Sequence, residues 1–253
     1  MRNYLKKITL LKFIVANLRI LRNKHNIIGK LKMLVAYYRD LHNFKNTNSN
    51  FEFSFNDLFP RIYDKTKTTP VGAVYFYQDS WCAGKIFETK PLEHFDIGSK
   101  AEMVGIISQF TPTTMIDIRP ITLTLPNLSF TSGDILNLPF KDKTILSLSS
   151  ICVVEHIGLG RYGDALDPFG SEKAIKELIR VLAPKGNLFI SIPIDTTNKI
   201  YFNAHRAFTR GYILELCKEL SLIEEQYIYG DKMWPSYAKE KGFGTGLYFF
   251  KRT

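Results

Sequence analysis

The chain has 253 residues, of which 45% are hydrophobic and 23% charged, with a formal net charge of +10. That length carries one full α/β core with a small appendage, and the composition excludes a disordered or collagenous chain. Cys82, Cys152 and Cys217 stand far apart with no C-x-x-C spacing, which excludes a disulfide-stapled scaffold and a cysteine metal site and points to a reducing compartment.

Charge is concentrated at the start. Residues 1–46 hold eleven Lys and Arg against one acid, Asp40, so the rest of the chain is neutral overall. Leu5, Ile8, Leu11, Ile14, Val15, Leu18 and Leu21 recur at helical spacing,. Lys12 and Arg19 interrupt the run, so no membrane span of about 20 apolar residues is available. No small-residue cleavage site follows, which argues against a signal peptide. A second helical pattern covers Ile27 to Phe44. Three readings stay open for 1–46: helices packed on the main domain or a partner subunit, an interfacial membrane helix, and a nucleic-acid arm. Near an anionic leaflet each Lys or Arg contributes about 1 kcal/mol. The nucleic-acid reading ranks last, because Tyr37, Tyr38 and Phe44 cluster late instead of interleaving with the charges,. The expected location is cytoplasmic, with the inner membrane face as a peripheral docking place.

Asn46–Asn50 (NTNSN) reads as a linker,. The domain reading is therefore a basic helical extension over 1–46, a linker and leading helix over 47–90, and the main domain over 91–253. Residues 75–90 predict a helix that sets Trp81, Ile86 and Phe87 against a sheet, with Trp81 in the core.

Residues 92–120 organise the rest. An apolar run ends in Asp96-Ile97-Gly98-Ser99; an amphipathic stretch with Met103, Val104, Ile106, Ile107 and Phe110 on one face follows; a second run ends at Asp117. Strand, tight turn, helix, strand is the first half of a nucleotide-binding α/β sheet. Asp117 falls 21 residues after Asp96, where a carboxylate holds a ribose diol. The dinucleotide turn G-x-G-x-x-G is absent: Gly98-Ser99-Lys100 takes its place and Gly105 comes late. A pyrophosphate needs the second glycine for close backbone approach, so the turn favours a ligand without a diphosphate, such as S-adenosylmethionine. An ordinary strand–turn–helix is the competing reading.

Arg119-Pro120 stops the second strand, and Phe130 to Asp134 predicts a short third one. Asp134 either accepts from an adenine amino group or is a turn residue after Gly133. Ile145–Ser150 is a buried fourth strand, followed by Cys152 to Ile157 and a long glycine-rich charged loop, Gly158 to Gly170. Such a loop beyond a central strand lies where α/β sheets place ligands. Ser171 is the expected N-cap of a helix to Leu182, and Leu188–Pro193 a fifth strand,. Thr209 is the expected cap of helix 210–220. Leu222–Tyr229 and Gly246–Lys251 read as an antiparallel pair at one sheet edge,.

In order, DIGS (96–99), IDIRP (116–120), GDILNLPF (133–140), SLSSICVVEHI (147–157) and ELIRVLAPKGNLFISIP (177–193) resemble the class I SAM-dependent methyltransferases, in the type 11-like branch. VEHIGLGRYGDALDP (154–168) and FNAHR (202–206) resemble an uncharacterised bacterial subfamily of that branch, DUF268, whose members often accompany surface-polysaccharide genes. The resemblance covers about residues 65–250. It implies a Rossmann-like class I methyltransferase sheet, mostly parallel with an antiparallel edge pair, carrying an N-terminal helical appendage.

It also implies roles. Asp96, Gly98 and Ser99 would lie along the methionine and ribose of S-adenosylmethionine. Asp117 and Ile118 would hold the ribose side, Asp134 and Ile135 would face the adenine, and Ser150 would end the strand beneath the sulfonium. Lys100 departs from the family's glycine. It either weakens the cofactor site or points its side chain to solvent while the backbone keeps the turn.

Methyl transfer to a hydroxyl calls for a base with a suitable pKa. His156 and His205, both on connections after strands, are the candidates, with Glu155, Asp164 or Asp167 orienting one of them. Arg161, Tyr162 and Arg206 would meet the acceptor, the arginines holding a phosphate or carboxylate. No residue set fixes a metal. The end of the fourth strand carries Ser-Ser, not N/D-P-P-Y, which argues against base amines and for a sugar hydroxyl or a phosphorylated or nucleotide-linked glycan precursor. The alternatives are a non-catalytic scaffold of this fold in a polysaccharide assembly complex, and a nucleic-acid methyltransferase.

Overall fold

The structure, a computed structural model, describes residues 27–45, 47 and 50–253. The helical pattern read over residues 2–22 lies outside the described residues. The chain divides into two compact units, residues 1–70 and 71–253.

In the first unit, helix α1 spans Ile27–Phe44, the limits set by its periodicity. A 3-10 turn at Phe55–Asp57 is capped by Ser54, whose hydroxyl accepts from the Asn56 amide. Phe53 contacts both Phe44 and Phe55 edge-on, at 6.3 and 5.3 Å between centroids. Among the described residues no helix is long and apolar enough to cross a membrane.

The second unit opens with α2 (Ala73–Thr89). Trp81 packs edge-on against Phe189 of the sheet and donates its indole N–H to Glu224. Ile86 is buried beside it, but Phe87, expected on the same face, is exposed. Next come β1 (His94–Ile97), α3 (Ala101–Ile107), β2 (Thr113–Asp117), β3 (Leu128–Ser132) and β4 (Ile145–Ile151). They are followed by α4 (Gly170–Val181), β5 (Leu182–Ile194), the short ribbon β6 (Lys199–Tyr201) and β7 (His205–Ala207), and α5 (Arg210–Leu216). The chain closes with β8 (Ser221–Tyr229), β9 (Lys232–Trp234) and β10 (Gly244–Lys251).

Eight strands form one sheet in the order β3-β2-β1-β4-β5-β10-β8-β9. β1 to β5 run parallel. β10 is antiparallel to both β5 and β8, and β9 extends the edge, so the expected antiparallel pair is present. Strand order reverses between β1 and β4. In an open parallel sheet that reversal opens a crevice at the carboxyl ends of the strands.

Each face of the sheet is covered by an apolar layer. One holds Leu148, Leu178, Leu188 and Ile190 with α4 and α5; the other holds Trp81, Met103, Val104 and Phe189 with α2 and α3. In α3, Met103, Val104 and Ile107 face this layer. Ile106 and Phe110, expected beside them, are exposed, because α3 ends at Ile107 and its buried stripe is narrow. Ser171 is not the N-cap of α4: the helix begins at Gly170, and the Ser171 hydroxyl donates to the Val154 carbonyl. Thr209 does cap α5, accepting from Tyr212 N–H.

β4 is buried nearly throughout although it carries three serines. Their hydroxyls are spent inside the sheet. The ring nitrogens of His94 meet Ser147 and Ser149 at 2.8 and 2.9 Å. Ser149 also donates to Asp96, and Ser150 donates to the Ile97 carbonyl at 3.1 Å. Burial drives His94 down to about 3, so it is neutral at ordinary pH,. This polar seam holds β1 and β4 together.

Candidate active site

An open cavity of about 370 Å³ lies beyond the carboxyl ends of β1, β2 and β4, within the range of small-molecule sites. Of the residues singled out in the sequence, Gly98, Asp117, Ile118, Asp134, Ile135, His156, Tyr162 and Asp164 line it.

The turn after β1 explains why Gly98 is there. Its φ is +69°, and an added Cβ would meet Val153 Cγ1 at 3.0 Å. Asp96 and Ser99 do not face the cavity; they build the turn. Asp96 is fully buried, accepts from the Ser99 amide at 3.0 Å, and is pushed up to about 6 by burial. The Ser99 hydroxyl accepts from the Ile151 amide at 2.9 Å. Ser150 is likewise buried and bonded to Ile97. All three, expected along the cofactor, brace the turn and strand from within and are not among the residues lining the cavity. Lys100 has φ −65°, an ordinary conformation that any residue adopts, and its ammonium lies 5.3 Å over the Tyr75 ring.

Asp117 accepts from the Arg119 amide at 2.8 Å and its guanidinium at 3.4 Å through Oδ1, leaving Oδ2 turned toward Gly98. Asp134 accepts from the Leu136 amide at 2.9 Å. Ile135 is buried against it in the wall.

The loop after β4 holds itself in place with its acids. Asp164 accepts from the amides of Gly158, Gly160 and Tyr162 at 2.6, 3.3 and 3.2 Å. Partial burial pushes this carboxyl up, but the three amides outweigh it and hold it below its ordinary value. Asp167 binds the Phe169 amide and Lys173. Neither acid reaches a histidine, so neither orients one. Among the described residues no three His, Cys, Asp or Glu side chains converge as a metal-binding group.

Arg206 is a strut, not an acceptor clamp. It is 5% exposed and donates to the carbonyls of Ile157, Asp167 and Pro168 and to the Ser171 hydroxyl. His205 does not line the cavity either. Its ring packs on Tyr201 and Phe243 at 5.0 and 5.7 Å.

His156 does line it. Nδ1 meets two groups: the Ala204 carbonyl, which only accepts, at 2.7 Å, and Arg161 Nη1, which only donates, at 3.2 Å; the shorter contact favours the proton on Nδ1 and the lone pair on Nε2. Burial holds this imidazole down at about 4. Arg161 donates to the same carbonyl at 2.8 Å. Glu155 is 2% exposed, and burial pushes it up to about 8.

Of the wall residues that the sequence reading did not assign to the site, two bring polar side chains. Arg119, taken there only as the end of a strand, stacks 4.6 Å over Tyr162, while Arg161 lies 5.0 Å over the same ring. Cys152 lines the floor with φ +52°. Neither carries a local signal; only the loop's return over β2 brings Tyr162 to Arg119.

Residues 141–218 match the family model described as "Caenorhabditis protein of unknown function, DUF268". No curated protein matches the chain. Among solved structures, N-methyltransferase NodS from Bradyrhizobium japonicum, in complex with S-adenosyl-L-homocysteine, is 16% identical, with a TM-score of 0.51 over 85% of this chain and 97% of that one. The 1,6-didemethyltoxoflavin-N1-methyltransferase of Burkholderia thailandensis, with bound 1,6-didemethyltoxoflavin and S-adenosylhomocysteine, is 11% identical, with a TM-score of 0.51 over 91% and 92%. The fold is that of the class I SAM-dependent methyltransferases, and the DUF268 resemblance read from the sequence coincides with the matching family model.

Proposed function

We propose that the chain is an S-adenosylmethionine-dependent methyltransferase acting on a small polar acceptor. One observation carries the reading: the Gly98 turn and the free Oδ2 of Asp117 both border an open cavity at the strand-order reversal. Gly98 lines the cavity in a left-handed turn that leaves no room for a Cβ beside Val153, which suits backbone approach to a ligand, and Asp117 suits a ribose diol,. NodS, which shares the fold, was solved with S-adenosyl-L-homocysteine.

When bound, the cofactor supplies a methyl group on a sulfonium, open to displacement by an aligned lone pair. The chain's own part is alignment and proton handling. Gly98 and Asp117 fix the donor side, with Ile118, Ile135 and Asp134 along the far wall. His156, neutral and pocket-facing, is the base that receives an acceptor proton. Arg161 does not line the cavity itself, but it stacks over Tyr162, which does, and from there it would meet an anionic group of the acceptor. That cation suits a sugar hydroxyl on a phosphorylated or nucleotide-linked precursor, the acceptor class we infer, and surface-polysaccharide assembly is its proposed setting.

Titration calorimetry with S-adenosylhomocysteine tests the reading. The wild type is expected to bind, and Asp117→Ala to bind about 10-fold or more weakly, since a charge-assisted pair to a diol is lost. No binding by the wild type would end the enzyme assignment.

A further inference from the structure

Behind the pocket-facing imidazole sits a carboxyl that nothing yet accounts for. Glu155 is buried, and its Oε2 has no hydrogen-bond partner. Its Oε1 lies 3.7 Å from His156 Nε2. That is ion-pair distance but too long for a hydrogen bond. The Cys152 thiol and the residue's own amide bond this carboxyl, yet one buried oxygen left unpaired is costly and calls for an explanation.

We propose that Glu155 and His156 form a proton-accepting pair, in which His156 is the catalytic base and Glu155 the positioning residue that balances its charge. This rests on the methyl-transfer reading above. The geometry sets the direction of proton flow. The Ala204 carbonyl lies closer to Nδ1, at 2.7 Å, than the Arg161 donor does, at 3.2 Å, which favours Nδ1–H and a lone pair on Nε2, the nitrogen near Glu155. As the acceptor oxygen takes the methyl group, its O–H bond breaks and an N–H bond forms at Nε2. The sulfur keeps the electron pair of the broken C–S bond. The imidazolium so formed lies against the Glu155 carboxylate, and its proton later leaves to solvent.

Other groups around the pair are quiet near neutrality. From the loop, Asp164 is lowered and Arg161 is a permanent cation,. From α2, burial raises Tyr75, which faces Cys152, Tyr162, Glu155 and Arg161. Burial also raises the Cys152 thiol well above its ordinary value, and lowers His205 on β7. Glu155, pushed to about 8, is the group among these shifted ones that changes charge between pH 7 and 9. The paired form is therefore the alkaline one, and its population grows as pH rises.

Nitrogen-15 NMR of the histidines in the intact chain tests this without an acceptor. Three results are expected: His156 as the Nδ1–H tautomer, a step in its Nε2 shift centred near pH 8, and loss of that step in Glu155→Gln. The opposite tautomer, no step in the wild type, or the same step in Glu155→Gln overturns the pair. Should Glu155→Gln not fold, Glu155→Asp withdraws the carboxylate and should shrink the step at least twofold; an undiminished step overturns the pair. Adding S-adenosylhomocysteine separates the two readings. An intact step with no response of His156 to the nucleoside would sink the cofactor assignment and leave the pair standing.

Discussion

Gly98 and Lys100 occupy the two positions that a dinucleotide-type turn gives to glycine, and only one of them needs it. Gly98 sits at φ +69°, where an added Cβ would press on Val153. A side chain there pays in strain and in the close approach itself. Lys100 sits at φ −65° with its side chain out over Tyr75. Gly98→Ala is therefore expected to weaken S-adenosylhomocysteine about 10-fold or more, the effect of roughly 1.4 kcal/mol or more. Lys100→Gly should leave affinity within about twofold. Calorimetry on both variants checks this, and a larger loss from Lys100→Gly would mean that the ammonium itself grips the ligand. The departure from the family's glycine is thus resolved by backbone conformation, a quantity the sequence does not display.

The ribbon β6–β7 and the loop 158–170 behave as one piece because Arg206 bonds to both sides of the junction. Its guanidinium serves three backbone carbonyls and one hydroxyl, all away from water. Arg206→Met keeps the apolar stem and removes every donor. Hydrogen bonds to a charged group contribute about 1.5–3 kcal/mol each before compensation. The expected cost is about 3–5 kcal/mol, read as a lowered urea midpoint. A loss under about 1 kcal/mol would show that the loop holds without it. The sequence reading gave Arg206 to the acceptor because a charge next to a histidine in a connection looks free until its partners, 35 to 49 residues away, are known. By contrast the sheet was legible. Apolar runs such as Ile145–Ser150 and Leu188–Pro193 carry their own signal, and Asp117 follows its strand at the spacing that ribose binding requires,. The Ser147–His94–Ser149 seam was not legible, since it joins residues over 50 positions apart whose polarity argues locally against burial. The same blindness hid Arg119, and placed Ser171 as a cap when its hydroxyl serves Val154 instead.

Several ionisable groups are buried in the unit 71–253, and their opposed shifts give its stability a particular pH profile. Glu155 binds its proton more tightly folded, at about 8, than unfolded, near the ordinary 4.5. Between those values the folded state holds one more proton, so stability falls as pH rises, by about 1.4 kcal/mol per pH unit. Asp96, raised to about 6, acts in the same sense but has completed its change by pH 6.5. His94 and His156, lowered to about 3 and 4, act in the opposite sense: below pH 6.5 the unfolded chain takes up protons that the folded one refuses. The opposed terms largely offset one another between about pH 4.5 and 6; above that the histidines finish their change by about pH 7.5 and Glu155 dominates. From pH 6.5 to 8 the unfolding free energy should therefore drop by about 1 kcal/mol in the wild type. Glu155→Gln carries no titrating proton there and should show no fall over that range, being the more stable of the two at pH 8. Urea denaturation at the two pH values decides the matter. An equal drop in both proteins would place the lost proton elsewhere. It would also remove the buried carboxyl as the group that answers to the alkaline change at His156.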